Sequence, residues 1–188
     1  MKELAVCSDG AIYHNINKTP RVKRLKRKQR RLQRQVSRKY QMNKVGEKFV
    51  KTSNIRRQEH QLKKIYQRLK NIRQSYRLQV VHQIVQRHPS CIVMEDLNVK
   101  GMMKNRHLAS AIQEQNFYQF RMIMKQYARR MGIPVKYADR WYPSSKRCSS
   151  CGYLKTDLKL SDRIYRCSQC GLELDRDYNA ALNLKQLA

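Results

Sequence analysis

Four cysteines near the C-terminus have the types and spacing of a structural zinc site. They form two Cys-x₂-Cys pairs, Cys148 with Cys151 and Cys167 with Cys170, and a glycine directly follows each pair. Zn²⁺ prefers four soft ligands at the corners of a tetrahedron, and two such pairs supply four thiolates. Glycine lets the backbone fold around a metal without a clash at Cβ. The spacing therefore predicts a zinc ribbon.

Carboxylates on two other segments could bind a harder metal. Glu95 and Asp96 directly follow residues 91–94, a short apolar run typical of a buried central strand, and Asp175 and Asp177 follow the last cysteine pair at the predicted start of a helix. Ligand sites in open α/β sheets lie at the carboxyl ends of strands. Phosphodiester cleavage by two divalent ions needs carboxylates from separate elements. The alternative is that these acids cap the segments that follow them, or that Asp175 or Asp177 caps while the other binds metal.

The elements that must position these acids follow from the spacing of apolar residues. Residues 3–16 predict a hairpin in which Asp9 is a turn residue rather than a catalytic one. Residues 107–131 predict one helix, and residues 133–137 predict a second strand whose proline indicates an edge position or a strand start. Residues 139–146 predict a loop whose aromatic side chains either stack on bases or cover the zinc module.

Charge separates residues 21–80 from the rest of the chain. The chain has 42 Lys and Arg against 13 Asp and Glu, a net charge of +29, and residues 21–80 hold 22 of these cations and two acids. This segment predicts two long helices with a break near residues 43–46. A polyanion relieves the self-repulsion of such a charge, so nucleic acid is the expected partner, with an anionic membrane surface as the alternative. The predicted phosphate contacts are Arg24, Arg27, Arg31, Arg34, Arg38 and Lys146.

Composition also bears on location. No apolar run approaches the roughly 18 residues of a membrane span, and the N-terminus lacks the apolar stretch of a signal peptide. Cys7 and Cys91 lie in apolar, strand-like runs and are expected to be buried rather than paired. Because the cysteine spacing suits zinc better than disulfides, a reducing, cytoplasmic location is expected.

Three motifs in the same order resemble those of TnpB, the family of transposon-encoded RNA-guided nucleases related to type V CRISPR effectors. Residues 93–102 (VMEDLNVKGM) are similar to its second RuvC motif. Residues 143–146 (PSSK) with the cysteine pairs resemble its zinc ribbon, and residues 175–181 (DRDYNAA) resemble its third RuvC motif. The basic run 25–39 also matches, so the resemblance covers nearly the whole chain.

The resemblance implies an α/β, RNase H-like (RuvC) fold with long basic helices and an inserted zinc ribbon. It implies that residues 1–142 form a RuvC-like nuclease domain, in which residues 20–88 are the basic helical segment. Residues 143–174 would be the zinc ribbon, which binds target nucleic acid. Residues 175–188 would be the final RuvC-like segment and helix.

The resemblance also implies roles for individual residues. Glu95 and Asp177 would be the catalytic carboxylates and would bind Mg²⁺ or Mn²⁺, with Arg176 and Asn179 as supporting residues. The four cysteines would hold a structural Zn²⁺. Guide RNA and target DNA would be the partners, and the activity would be that of a transposon-associated RNA-guided DNA endonuclease.

The chain departs from the family pattern at its first strand. There the family has a further catalytic aspartate, which in this chain would fall shortly before Met1, as would the N-terminal recognition half. Glu3 and Asp9 are offset from that position. Cleavage is therefore expected to be impaired, because such a site acts as a unit. A nucleic-acid-binding protein without catalysis is the alternative. An unrelated zinc-ribbon protein of translation or transcription would explain the ribbon and the charge but not the acids.

Overall fold

The computed structural model describes residues 2–159 and 161–188, and these residues contain six α-helices and eight short strands. The elements are, in order, β1 (Glu3–Val6), β2 (Ile12–His14), α1 (Pro20–Met42), β3 (Lys44–Val45), β4 (Lys48–Phe49), α2 (Ser53–Val85), β5 (Ile92–Glu95), α3 (Val99–Met103), α4 (Arg106–Gln115), α5 (Phe117–Arg130), β6 (Val135–Ala138), β7 (Ile164–Arg166), β8 (Glu173–Asp175) and α6 (Arg176–Lys185). Residues 15–78 form one unit, and the residues up to His14 form a second unit together with residues 79–188. This arrangement confirms the α/β class.

The unit of residues 15–78 is built from α1 and the first part of α2. Pro20 occupies the first turn of α1, where its fixed φ suits a helix and its missing N–H costs nothing. Val22 and Leu32 of α1 pack with Ile65 and Leu69 of α2 in one buried cluster. The two long helices and the break between them are confirmed. The break is longer than expected and contains the β3–β4 hairpin, which the apolar pattern did not indicate.

The hairpin at the start of the other unit is as predicted. β1 and β2 pair antiparallel, and the Asp9 carboxylate accepts a hydrogen bond of 3.0 Å from the backbone N–H of Ala11. Asp9 also forms an ion pair with Arg87. These contacts confirm Asp9 as a turn residue.

The strand pair that carries Glu95 is parallel. β5 and β6 run side by side with Ile92 opposite Val135 and Glu95 opposite Ala138. Helix α5 contacts β6, and helix α6 contacts both β5 and β1. The prediction of a buried central strand is wrong in its burial, because only Ile92 of β5 is buried and Glu95 is exposed. Among the described residues β5 has a strand neighbour on one edge alone, so its other edge is not covered by a sheet.

The single helix predicted for residues 107–131 is also wrong, because the structure has α4 and α5 with Asn116 between them. Asn116 has φ +53°, the left-handed conformation that asparagine tolerates better than most residues. Its side chain accepts a hydrogen bond of 3.2 Å from the backbone N–H of Gln119 and so caps α5. Apolar periodicity runs through the break unchanged, which is why spacing alone missed it.

Smaller predictions have mixed outcomes. The second strand begins at Val135, directly after Pro134, as a strand-start proline requires. Cys7 and Cys91 are unpaired, as expected, but both are only half-buried, so the expectation of burial is wrong. Within the described part of the chain, no helix has the length and apolar composition that crossing a bilayer requires.

Candidate functional site

The four cysteine sulfurs lie together, as their spacing predicts. All four Sγ atoms are within 4.8 Å of one another. The Sγ atoms of Cys148 and Cys170 are 3.6 Å apart, and those of Cys151 and Cys167 are also 3.6 Å apart. Around a tetrahedral zinc with Zn–S bonds of about 2.3 Å, neighbouring sulfurs are roughly 3.8 Å apart. The cluster can therefore bind a metal such as zinc.

The two cysteine pairs have the same backbone turn. The N–H of Gly152 donates to the carbonyl of Cys148 at 3.0 Å, and the N–H of Gly171 donates to the carbonyl of Cys167 at 3.1 Å. Both glycines have positive φ, +78° and +73°, a conformation that side chains disfavour. This repetition explains why a glycine follows each pair in the sequence.

A small apolar core lies beside the cysteines. Tyr165 is fully buried with Cys148 and Cys167, and Leu158 and Leu172 pack against them. Burial raises the pKa of the Tyr165 hydroxyl to about 12, and negative charge on Cys148 and Cys167 acts in the same direction. Tyr165 therefore stays protonated and acts as a hydrogen-bond donor inside the ribbon. Two cysteines, one tyrosine and two leucines are few residues for a core that is stable without metal.

Two asparagines of α6 attach the loop that leads into the ribbon. Asn179 accepts a hydrogen bond of 3.0 Å from the N–H of Ser149 and donates one of 2.7 Å to the carbonyl of Arg147. The side-chain amide of Asn183 donates to the carbonyls of Ser144 and Arg147, at 2.8 and 2.7 Å. Both asparagines are completely buried. The contacts of Asn179, a predicted supporting residue, are thus with the ribbon loop.

Glu95 is connected to the same loop. Its Oε1 accepts a hydrogen bond of 2.7 Å from the hydroxyl of Ser144, and Ser144 is buried. Asn183 in turn holds the Ser144 carbonyl. Sequence reasoning did not single out Ser144, although it lies in the Pro-Ser-Ser-Lys string that precedes the ribbon. A chain of hydrogen bonds therefore runs from buried Asn183 of α6 through buried Ser144 to the exposed carboxylate of Glu95.

The two aspartates at the start of α6 have different roles. Asp175 caps the helix, because its Oδ1 accepts hydrogen bonds from the backbone N–H groups of Asp177 and Tyr178 at 2.9 and 3.1 Å. The Asp177 side chain is 41% exposed, and its Oδ1 lies 3.4 Å from the guanidinium of Arg176. Capping therefore accounts for Asp175, whereas the Asp177 carboxylate remains accessible to solvent. Because α6 contacts β5, Asp177 and Glu95 lie on contacting elements.

Replacing Asp175 by alanine is expected to destabilise the α6 end of the chain. The substitution removes the acceptor for two backbone N–H groups, and losing such a cap lowers the free energy of unfolding by about 1 kcal/mol. Urea denaturation measures the change, and Asp175→Asn should retain most of the cap. Glu173→Ala is the matched control, because Glu173 is an exposed acid paired with Arg166 and should change stability by less than about 0.5 kcal/mol. Equal stability of Asp175→Ala and the wild type would contradict the capping role.

Asp96, next to Glu95, is an ion-pair residue. Its carboxylate accepts hydrogen bonds from Arg140 at 2.5 Å and from Arg121 at 2.7 Å. The hydrogen bond from Arg140 lowers the pKa of Asp96 most, burial opposes it, and Arg121 adds to the lowering. The capping alternative for these two acids is not observed, because Asn98 caps α3 by accepting a hydrogen bond of 3.0 Å from the N–H of Gly101.

Five of the predicted phosphate contacts form one exposed row on α1, the arginine stripe. Their spacing alternates between three and four residues, which keeps them on one side of a helix, away from buried Leu32 and Val36. The arginine stripe comprises Arg24, Arg27, Arg31, Arg34 and Arg38. The sixth predicted contact, Lys146, donates a hydrogen bond of 3.1 Å from Nζ to the carbonyl of Thr156, so its ammonium group lies against the ribbon backbone.

Two family models match this chain. The model described as Probable transposase (OrfB_IS605) matches residues 1–106, and the model described as Cas12f1-like, TNB domain matches residues 117–184.

Individual relatives agree with these matches. A Streptomyces pristinaespiralis protein named "Putative RNA-guided DNA endonuclease" is 31% identical over 74% of this chain and 34% of its own length. The TnpB-like protein L79 of Acanthamoeba polyphaga mimivirus is 33% identical over 65% of this chain and 24% of its own. A chain in the cryo-EM structure of the Cas12f1–sgRNA–target DNA complex superimposes with a TM-score of 0.60 and 15% identity, covering 93% of this chain and 43% of that one. The chain thus spans less than half the length of these proteins, and the last comparison shows similarity of fold.

Proposed function

Because this chain belongs to the OrfB_IS605 family of probable transposases and is a TnpB-type protein, we propose that it is the nuclease portion of an RNA-guided DNA endonuclease. The relatives named as RNA-guided DNA endonucleases support this activity. The observation that carries the proposal is that two accessible carboxylates, Glu95 and Asp177, lie on the contacting elements β5 and α6. DNA and a guide RNA are the proposed partners.

The proposal includes an RNase H-like (RuvC) arrangement of the domains. Residues 1–142 form the nuclease domain, residues 143–174 form the zinc ribbon, and residues 175–188 return to the nuclease domain. Three features support these boundaries. Glu95 lies at the carboxyl end of the parallel β5–β6 pair, the cysteine cluster lies between β6 and α6 in the sequence, and α6 contacts β5.

The donor atoms suit two different metals. Four thiolates whose sulfurs lie within 4.8 Å of one another suit Zn²⁺, which we propose as a structural ion. Glu95 and Asp177 offer carboxylate oxygens, the donors that Mg²⁺ and Mn²⁺ prefer, and both are open to solvent. Glu95 and Asp177 would hold this divalent ion, which would supply positive charge to the phosphate oxygens and make water a stronger nucleophile.

The reaction is hydrolysis of a phosphodiester. The oxygen of water bonds to phosphorus, the P–O bond to the leaving sugar oxygen breaks, and a proton passes to that oxygen. In this chain, the hydroxyl of Ser144 fixes the orientation of the Glu95 carboxylate at 2.7 Å. The guanidinium of Arg176, 3.4 Å from the Asp177 carboxylate, restricts the orientation of that carboxylate.

A cleavage assay tests the proposal. Labelled single-stranded DNA is incubated with the chain and either Mg²⁺, Mn²⁺ or EDTA, and strand breaks are counted. Slow cleavage, impaired as expected from the sequence, should occur with either metal, and no cleavage should occur with EDTA. Glu95→Gln and Asp177→Asn keep the shape of each side chain but remove its charge, so each is expected to reduce cleavage to the EDTA level.

The matched control is Glu173→Gln, which removes an exposed acid that pairs with Arg166 in the ribbon strands. Its cleavage rate should equal that of the wild type. If all three variants cleave like the wild type, the carboxylate assignment is wrong.

A nucleic-acid-binding protein without catalysis is the second candidate. The arginine stripe supports it, because five exposed cations on one helical face need no carboxylate to hold phosphates. This candidate predicts that wild-type chain binds DNA tightly but leaves it intact with either metal. Binding and cleavage measured on the same samples therefore separate the two functions.

A further inference from the structure

An open cleft lies at the carboxyl ends of β5 and β6, the strand pair that ends at Glu95. Its volume is about 580 Å³. Asp96, which follows β5, and Arg140 and Trp141, which follow β6, form one part of its lining. Arg121 and Lys125 of α5 form another part. Carboxyl ends of parallel strands are where α/β sheets bind ligands.

Trp141 is held in place at its backbone while its ring remains in solvent. Its N–H donates a hydrogen bond of 2.8 Å to the side chain of Asp139, and the N–H of Tyr142 donates one of 3.0 Å to the Asp139 carbonyl. The Trp141 side chain is 85% exposed. It therefore does not cover the zinc module, which was one of the two roles considered for the aromatic residues of this loop. The exposed indole on this fixed turn leaves a flat ring face on which a nucleic-acid base can stack.

Cations and further aromatic rings lie in or beside the cleft that Trp141 lines. The guanidinium of Arg121 lies 5.3 Å from the ring centre of Tyr137 and 5.8 Å from that of Tyr118. Asp96 pairs with Arg121 and Arg140 and holds both beside the cleft. Lys125 adds a further positive charge. Aromatic rings interleaved with cations bind single-stranded nucleic acid, because bases stack on the rings and phosphates contact the cations.

We propose that this cleft binds one unpaired nucleotide of a single-stranded polynucleotide, with its base stacked on Trp141 and its phosphate beside Lys125 and Arg140. The inference rests on the proposed function and adds to it a residue and a requirement for an unpaired base. Because Asp96 lines the cleft and directly follows Glu95 in the chain, the bound strand would lie next to that carboxylate. A duplex cannot use the site, because its bases are already stacked on each other.

Fluorescence tests the proposal directly, because Trp141 is the only tryptophan of the chain. The wild-type chain is titrated with oligothymidylate, oligouridylate and a blunt DNA duplex, without divalent metal. Both single strands are expected to quench the emission, and the duplex is expected to leave it nearly unchanged. The tighter of the two single strands identifies whether DNA or RNA occupies the cleft.

Substitution then measures the contribution of the ring. Anisotropy of labelled oligothymidylate is expected to show that Trp141→Ala binds about 10-fold more weakly, while Trp141→Phe loses less. The slope of log K against log salt should not change in Trp141→Ala, since a stacked base releases no counterion. Lys125→Gln is the matched control and should reduce the magnitude of that slope by about 0.7. Because Trp141 is exposed, neither Trp141→Ala nor Trp141→Phe should alter the circular dichroism spectrum.

The outcomes separate this inference from the function on which it rests. Tight binding of oligothymidylate with unchanged emission, or with equal affinity for Trp141→Ala, overturns the stacking site and leaves the proposed function standing. Failure of the wild-type chain to bind any of the three nucleic acids overturns both. Quenching by the duplex equal to that by single strands also overturns the requirement for an unpaired base.

Discussion

Replacing Cys148 by serine is expected to abolish zinc binding and unfold the ribbon. Cys148 is almost completely buried, and a serine hydroxyl at its position cannot supply a thiolate. Structural zinc sites of this type contribute about 10–16 kcal/mol of apparent binding free energy at neutral pH, and this energy is also folding energy. The ribbon has only a small apolar core around Tyr165 to replace it.

The effect should extend beyond the ribbon. Asn179 and Asn183 attach α6 to the backbone at Arg147, and Ser144 in the same loop donates to Glu95. When the ribbon unfolds, this loop loses its fixed end, and Glu95 loses its orienting partner. Amide hydrogen exchange should therefore increase over residues 143–175 and also at the end of β5. An increase in amide hydrogen exchange that is confined to the ribbon would contradict this link between the ribbon and Glu95.

Metal analysis is the first test of the predicted loss of zinc binding in Cys148→Ser. Fresh wild-type protein should contain about one equivalent of zinc, and Cys148→Ser should contain almost none. Cys7→Ser is the matched control, because Cys7 is a half-buried thiol outside the cluster. Less than about half an equivalent in the wild type would contradict a four-thiolate structural site.

Local spacing predicted those parts of the molecule in which neighbours in sequence are also neighbours in space. The cysteine cluster, the Asp9 turn and the two long helices belong to this class, because knuckle, turn and helix geometry are fixed within a few residues. The break at Asn116 was missed although it is local. Apolar residues on both sides of Asn116 recur at the spacing of one continuous helix. A single residue in the left-handed conformation changes the direction of the chain without changing that spacing.

The connections within the candidate site could not be predicted in this way. Asn183 bonds to Ser144 across 39 residues, and Ser144 bonds to Glu95 across 49. Such pairs depend on how α6, the ribbon loop and β5 pack together, which neither spacing nor composition specifies. The burial of β5 was misjudged for the same reason, since an apolar run shows that a strand can be buried but not how many neighbours cover it.

Neutralising the arginine stripe is expected to change how nucleic-acid affinity depends on salt. Each arginine that contacts a phosphate releases about 0.7 counterions from a single strand and about 0.9 from B-DNA. If all five make such contacts, replacing them by glutamine reduces the magnitude of the salt slope by about 3.5 for single strands. Between 50 and 200 mM salt, the wild type should then lose about 100-fold more affinity than the variant.

A control with the same net charge distinguishes phosphate contacts from a general electrostatic field. Five exposed cations from the other unit serve this purpose: Lys2, Lys104, Arg106, Arg129 and Arg130. Both variants lower the formal charge by five from +29, so a general field effect would reduce the two slopes equally. Contacts localised on α1 instead require a much larger change in the stripe variant. Equal slopes in the two variants would therefore show that the arginine stripe is a solvated helix face and that the nucleic-acid strand is bound elsewhere. A larger change of slope in the stripe variant would place the phosphates along α1.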